Sequence, residues 1–367
     1  MKIAFLLGTR PEAIKSLLII KELKKISNIQ IKIWVSHQHL SVVEQILNLA
    51  ELEADIGFDT FDINQSNILA LSKILKSLDE AINNYRPDWL FVQGDTLTAL
   101  VGALAGFYSS IKVAHLEAGL RSFNKKSPFP EETNRILIAQ IAHSHFAPSE
   151  QAYINLIHEG VQESDVIHCG NFGLDLMVSL LREKKQIIQN VNLASGNILV
   201  TIHRKELLQN DGAEKVFSSL IDLAIAFNKR LKIIFPLHPN PEILDLANSY
   251  LNNFENIILM PPLPYQDFID YLYSATLIIT DSGGIQDEAM FLEKPLIIMR
   301  ESTEREIVNL KRTKLLSPWD SQLSEKLISF SNELIGDQSL DIQEINRKVE
   351  TYSYNAEVVI KGFLKSI

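Results

Sequence analysis

Short, continuously apolar runs alternate with longer stretches of helical periodicity along almost the whole chain. In the first half the runs are Ile3–Leu7, Ile31–Val35, Trp89–Val92, Val113–Leu116, Ser144–Ala147 and Val166–His168. In the second half they are Ile198–Thr201, Lys232–Phe235, Asn256–Met260, Leu277–Thr280 and Leu296–Met299. Runs that are apolar at successive positions suit strands covered by helices on both faces. A spacing of roughly 25–30 residues fits strand–helix units with right-handed crossovers, and hence parallel sheets. The rhythm pauses at Cys169-Gly170-Asn171, and residues 183–195 read as a surface connection. The pattern therefore predicts an α/β protein of two doubly wound, Rossmann-like domains in tandem, divided near residue 170, with terminal helices from Asp337 onward.

Length and charge narrow the classes. A chain of 367 residues, 46% hydrophobic, can bury two cores. A net charge of −10 argues against a nucleic-acid surface, so any phosphate must be held by local, preorganised donors. The one cysteine, Cys169, excludes a disulfide framework and suits a reducing compartment. The apolar start, Ile3–Leu7, is too short for a signal peptide, and no run of about 18 apolar residues exists. The expectation is a cytoplasmic enzyme with neither a membrane nor a nucleic acid as partner.

Open α/β sheets bind ligands beyond the carboxyl ends of their strands, and the unusual polar residues fall there. Ile279-Thr280 runs into Asp281-Ser282-Gly283-Gly284 and then a helix start, with Glu288 about one turn in. Glycines and free helix N–H groups at such a turn suit a phosphate or diphosphate, and Glu288 suits sugar hydroxyls. The plainer alternative is a βα turn with Ser282 as N-cap. After the first strand, Gly8-Thr9-Arg10-Pro11 opens another helix, with Arg10 and Lys15 placed to face an anion. Asp95, in Gln93-Gly94-Asp95-Thr96, reads as an N-cap or a catalytic acid. Glu117 ends a buried run in His115-Leu116-Glu117, and Glu131, Glu132 and Arg135 follow at a helix start after Pro128 and Pro130. An unpaired carboxylate at the end of a buried strand is costly. Asp95, Glu117 and Glu131 on one rim would raise one another's pKa values, which lets an acid and a base coexist near neutrality. In the second half His203 and Arg204 follow a strand, as do His238 and, further on, Arg305. His37/His39 and His143/His145 lack carboxylate or cysteine partners at metal-like spacing, so no metal is expected. Tyr108-Ser109-Ser110-Ile111-Lys112 has the Tyr-x-x-x-Lys spacing of NAD-dependent sugar epimerases, but no Gly-x-Gly-x-x-Gly accompanies it, so no redox cofactor is expected either.

Taken in order, the segments GTRPEAIK (8–15), QGDT (93–96), HLEAGLR (115–121), PFPEETNR (128–135), GN (170–171), IHRKE (202–206), LHPNP (237–241), TDSGGIQDEA (280–289) and MRESTER (299–305) resemble the UDP-N-acetylglucosamine 2-epimerase family. Gly-Thr-Arg-Pro-Glu in place of Gly-Thr-Arg-Ala-Asp points to its non-hydrolysing bacterial branch. The resemblance implies a GT-B-like pair of domains facing a central cleft. Residues 1–170 with 355–367 would form the first, the final helix crossing back to it, and residues 171–354 would form the second, UDP-binding one. It also implies a homodimer and a UDP-sugar substrate whose C2 is inverted without a cofactor. Asp95, Glu117, Glu131 and His203 would be catalytic, with the first three carrying the acid–base work. Arg10, Lys15, Arg135, His203, Ser282 and Gly283 would hold the diphosphate, with His238, Gly284 and Arg305 also at the substrate and Glu288 on the ribose. The chain departs from the family at Ile202, usually Gly, and at Glu306, usually Pro. It departs again at Gln38-His39-Leu40-Ser41 and over 64–68, stretches tied in the family to activation by a second UDP-GlcNAc. A hydrolysing 2-epimerase that releases ManNAc, or an epimerase of a modified UDP-HexNAc, stays open; a glycosyltransferase on the same architecture and a UDP-sugar sensor without turnover are the further competing readings. The set of three carboxylates counts against the transferase and the sensor.

Overall fold

The structure is a computed structural model. It describes residues 1–36, 40–58, 66–126, 128–184, 196–204, 207, 211–227, 230–237, 241–305, 307, 309–336, 342–353 and 356–366. His238, most of the 183–195 connection, Gln38-His39, Asn64-Gln65 and Glu306 lie outside the described residues. The chain divides into two compact units, Met1–Leu176 with Ser353–Ile367, and Met177–Tyr352.

The first unit runs β1 (Lys2–Leu7), α1 (Arg10–Lys24), β2 (Gln30–Ser36), α2 (Leu40–Asn48), β3 (Ile56–Phe58), α3 (Asn67–Tyr85), β4 (Trp89–Gln93) and α4 (Leu97–Tyr108). It continues through β5 (Lys112–Leu116), α5 (Glu131–Ile141), β6 (Ser144–Ala147), α6 (Glu150–His158), β7 (Val166–His168) and the start of α7 (Phe172–Glu183). Among the described residues its sheet has seven strands in the order β3-β2-β1-β4-β5-β6-β7, and every pair is parallel. The second unit holds β8 (Asn197–Thr201), β9 (Lys232–Pro236), β10 (Ile257–Met260), β11 (Leu277–Thr280), β12 (Leu296–Met299) and β13 (Thr313–Leu316), again all parallel, in the order β10-β9-β8-β11-β12-β13. Two parallel sheets with interleaved helices are the doubly wound α/β class that the apolar runs predict. In each unit the chain reverses direction across its sheet between the first and fourth strands, β1|β4 and β8|β11, which is where such sheets bind ligands.

Two strands escaped the sequence pattern. β3 is three residues long at a sheet edge with only Phe58 buried, and β13, another edge strand, reads Thr-Lys-Leu-Leu with Leu315 exposed. Neither presents an apolar run, because an edge strand is covered on fewer sides.

The first core centres on aromatic packing. Phe5 stacks on Phe91 with ring centroids 4.7 Å apart. Phe363, from the C-terminal helix Ala356–Ser366, lies 5.0 Å from Trp89 and 5.5 Å from both Phe91 and Phe146. The helix therefore seats a fully buried ring on the middle of the first sheet. Asp175, itself fully buried, accepts the Ala356 N–H at 3.2 Å and so satisfies a donor of that helix's first turn. The second unit has its own core around Phe217, Leu220, Ile233, Phe235 and Leu277.

Candidate functional site

In the first unit four strand-end segments bring their polar residues together. Arg10 opens α1, with Thr9 as N-cap and Pro11 in the first turn. Lys15 is buried on the same helix, and its Nζ lies 2.5 Å from Glu117 Oε1. Gln93 Nε2, at the end of β4, donates to Glu117 Oε2 at 2.5 Å. Glu117 is the first residue past β5 and takes a left-handed backbone, φ +61°. For a residue with a Cβ that conformation costs about 1 kcal/mol or more, and surrounding structure must hold it there. Lys15, Gln93, Glu117, Cys169, Asn171 and Phe172 line one small cavity.

Asp95 sits in the next turn, after Gly94, whose φ of +68° suits glycine. The Gly94 carbonyl lies 2.7 Å from Nε2 of His115. Burial pushes His115 down to about 3, so the ring is neutral and Nε2–H donates to that carbonyl. The Asp95 carboxylate pairs with Arg135 of α5, and Asn134 Nδ2 donates to the Asp95 carbonyl at 2.8 Å. Helix α5 therefore braces this turn through two successive side chains. Glu131 begins α5 and is half-buried. Its neighbour Glu132 is fully buried and accepts the Ser122 and Phe123 N–H groups, both at 2.9 Å, so it shapes the preceding loop.

Asp95 is not an N-cap, because Thr96 fills that position for α4, accepting the Ala99 N–H at 3.1 Å. Asp95 and Glu117 are each paired with a cation, and the buried Glu12 carboxyl of α1 is raised to about 7. Burial is the main cause and the Asp95 charge adds to it, against opposing hydrogen bonds from Thr96, Gly8 and Thr9.

In the second unit the end of β8 meets the end of β11. Asp281, fully buried, accepts the His203 and Arg204 N–H groups at 2.8 and 2.9 Å through Oδ2, and its Oδ1 lies 2.8 Å from His203 Nδ1. Burial alone would raise the Asp281 carboxyl. The charge and hydrogen bonds of His203, with the Arg204 amide, outweigh it and hold the carboxyl below its usual value. Ser282 is the N-cap by position of the helix Gly283–Phe291, yet its side chain makes no capping bond, and its N–H donates instead to Thr280 Oγ1 at 3.0 Å. A Cβ at Gly283 would stand 2.9 Å from Glu304 Oε1 and 3.2 Å from Arg305 Nε, so glycine there admits the loop after β12; the space at Gly284 is open. Arg305 Nη1 lies 3.1 Å from Asp287 of that helix, and Glu288 Oε1 accepts the Tyr265 hydroxyl at 2.6 Å. Ile202, where a glycine was expected by resemblance, is buried in the core of this unit.

The family model for UDP-N-acetylglucosamine 2-epimerase matches residues 21–356. The chain belongs to the UDP-N-acetylglucosamine 2-epimerase family. The UDP-N-acetylglucosamine 2-epimerase of Salmonella borreze is 37% identical to it over 350 residues, covering 92% of this chain and 91% of its own. The crystal structure of the UDP-GlcNAc 2-epimerase from Neisseria meningitidis bound to UDP-GlcNAc superposes with a TM-score of 0.88 at 33% identity over the whole of both chains. That of the Methanocaldococcus jannaschii enzyme in complex with UDP-GlcNAc and UDP gives 0.85 at 30% identity, also over both whole chains. The 2-epimerase motifs read from the sequence thus identified the family. They did not single out Glu12, Gln93, His115, Asp281 or Tyr265. Glu12 had a signal, since Thr9-x-x-Glu12 has the spacing of a capping box. Asp281 had one too, as a carboxylate ending an apolar run. Tyr265 had none.

Proposed function

We propose that the protein interconverts UDP-GlcNAc and UDP-ManNAc by the non-hydrolysing route. The observation that carries this reading is the placing of two carboxylates, Asp95 and Glu117, past the ends of adjacent parallel strands, each against a buried cation. The C2 hydrogen of the sugar has no neighbouring carbonyl and is weakly acidic. Breaking the C1–O bond to UDP develops oxocarbenium character and acidifies it. A carboxylate then takes the proton, the C2–H electron pair becomes the C1=C2 double bond, and UDP departs with the C1–O pair. The products are 2-acetamidoglucal and UDP. Re-addition of UDP at C1, with a proton delivered to C2 from the opposite face, completes the inversion. Positioned acid and base groups contribute typically 10²–10⁴-fold each.

Asp95, Glu117 and Glu131 are the acid–base set. Lys15 beside Glu117, and Arg135 beside Asp95, offer charge for the departing diphosphate. In the second unit Ser282, Gly283 and Gly284 open a helix whose N–H groups suit the diphosphate, and His203, oriented by Asp281, gives a further donor. Arg10 adds charge at the start of α1, and Glu288 suits the ribose hydroxyls. His238 and Arg305 complete the substrate contacts. The lone buried thiol, Cys169, fits a cytoplasmic setting.

NMR of the protein with UDP-GlcNAc in D2O tests the reading. Deuterium at C2 together with UDP-ManNAc is the expected result. Free ManNAc plus UDP would replace it with a hydrolysing epimerase, and bound substrate without C2 exchange would replace it with a transferase or sensor. Asp95→Asn and Glu117→Gln should each abolish exchange while UDP still binds. Near wild-type exchange in both would refute the residue assignment.

A further inference from the structure

Two helix starts flank the point where the first sheet reverses: α1 behind β1 and α4 behind β4. One carboxylate serves both. Glu12 is almost fully buried, and its Oε2 accepts the Gly8 N–H and, at 3.0 Å, the Thr9 N–H. Its Oε1 accepts the hydroxyl of Thr96, the N-cap of α4. A capping glutamate needs only the first helix's own amides. The bond to Thr96 reaches a turn 84 residues away in sequence, and among the described residues no Lys or Arg pairs with Glu12. Arg10 directly follows Thr9, and Asp95 directly precedes Thr96.

We propose that Glu12 is a positioning residue for the reaction set out above: its carboxylate locks the turn bearing Arg10 to the turn bearing Asp95. This rests on the epimerase reading. Burial raises the group to about 7, with Asp95 the charged neighbour that acts on it and Thr96, Gly8 and Thr9 its neutral donors. Protonated, the group still accepts from Gly8 and Thr9 through Oε2 and can donate from Oε1–H to the Thr96 hydroxyl, so the lock holds on either side of neutrality.

The test compares wild type, Glu12→Ala, Glu12→Gln and Thr96→Val in the D2O exchange assay, with kcat and KM followed across pH. Glu12→Ala should lose about tenfold to a hundredfold in kcat, the scale of a misplaced reacting group, with a much smaller change in UDP affinity. Glu12→Gln can still accept from Gly8 and Thr9 and donate to Thr96, so it should recover most of the rate across the pH range. Thr96→Val should mirror the alanine variant if that one does not fold. Amide exchange at Gly8 and Thr9 reads the lock without substrate, and protection should drop in Glu12→Ala. A Glu12→Ala rate within twofold of wild type, a Glu12→Gln rate as low as that of Glu12→Ala, or unchanged amide protection in Glu12→Ala would overturn the proposal. Wild-type protein with protected amides but no C2 exchange would instead reject the epimerase reading and keep the lock.

Discussion

Glu117 holds its carboxylate on a left-handed backbone, against buried Lys15. A fold tolerates such a residue only when neighbours over-determine it. Here Lys15 and Gln93 grip the two carboxylate oxygens. Glu117→Gln removes one charge of a buried pair and strands the other, so a stability loss of about 3–5 kcal/mol is expected alongside lost exchange; urea unfolding measures it. Glu12 titrates in the opposite sense from a salt-bridged acid. Its native pKa, raised from 4.5 to about 7, means that its share of stability is fully present below 4.5 and is lost as pH rises to about 7. The shift corresponds to about 3 kcal/mol. Urea unfolding of wild type across this window should show that fall, and Glu12→Gln should not; parallel curves would remove the basis for it.

At the scale of elements, the strands were legible wherever helices cover both faces, as at Leu277–Thr280 and Ser144–Ala147, since such strands have no polar positions to confuse the pattern. β3 and β13 were not, because edge strands keep polar or exposed residues. The strand-end residues of the site were equally legible, being polar groups that interrupt apolar runs. Their pairings were not. Lys15 and Glu117 are 102 residues apart, and His203 and Asp281 are 78 apart, so only the parallel order of the strands brings them together. The β8–β11 junction gives a test of one such pairing. Asp281→Asn leaves the buried donors of His203 and Arg204 with a weaker acceptor and should cost about 1–3 kcal/mol. Because the native carboxyl is depressed below 3.8, the deficit should be present above that pH and shrink as pH falls through the native value. A thermal-melt series from pH 3 to 8 reads it, and a deficit constant over pH would contradict the ion pair.

At the scale of the whole molecule, two cores stand behind two sheets, and each has tryptophan reporters: Trp34 and Trp89 in the first unit, Trp319 in the second. Phe363→Ala empties a fully buried aromatic site and should cost about 3–5 kcal/mol. In a Trp319→Phe background, fluorescence follows the first unit alone and should show the whole loss. A transition reported by Trp319, in protein lacking Trp34 and Trp89, should move far less; equal shifts would mean that the cores unfold as one.

The ring of Phe363 has a further consequence during synthesis. The sheet beneath it is translated first, but this large aromatic is translated only after the entire second core. While the nascent chain is still tethered to the ribosome, residues 177–352 can close their own core, whereas the earlier-made half must wait with an open patch over Trp89, Phe91 and Phe146. The half of the molecule made first is therefore the half completed last, and a chaperone that shields apolar surface has its natural target there.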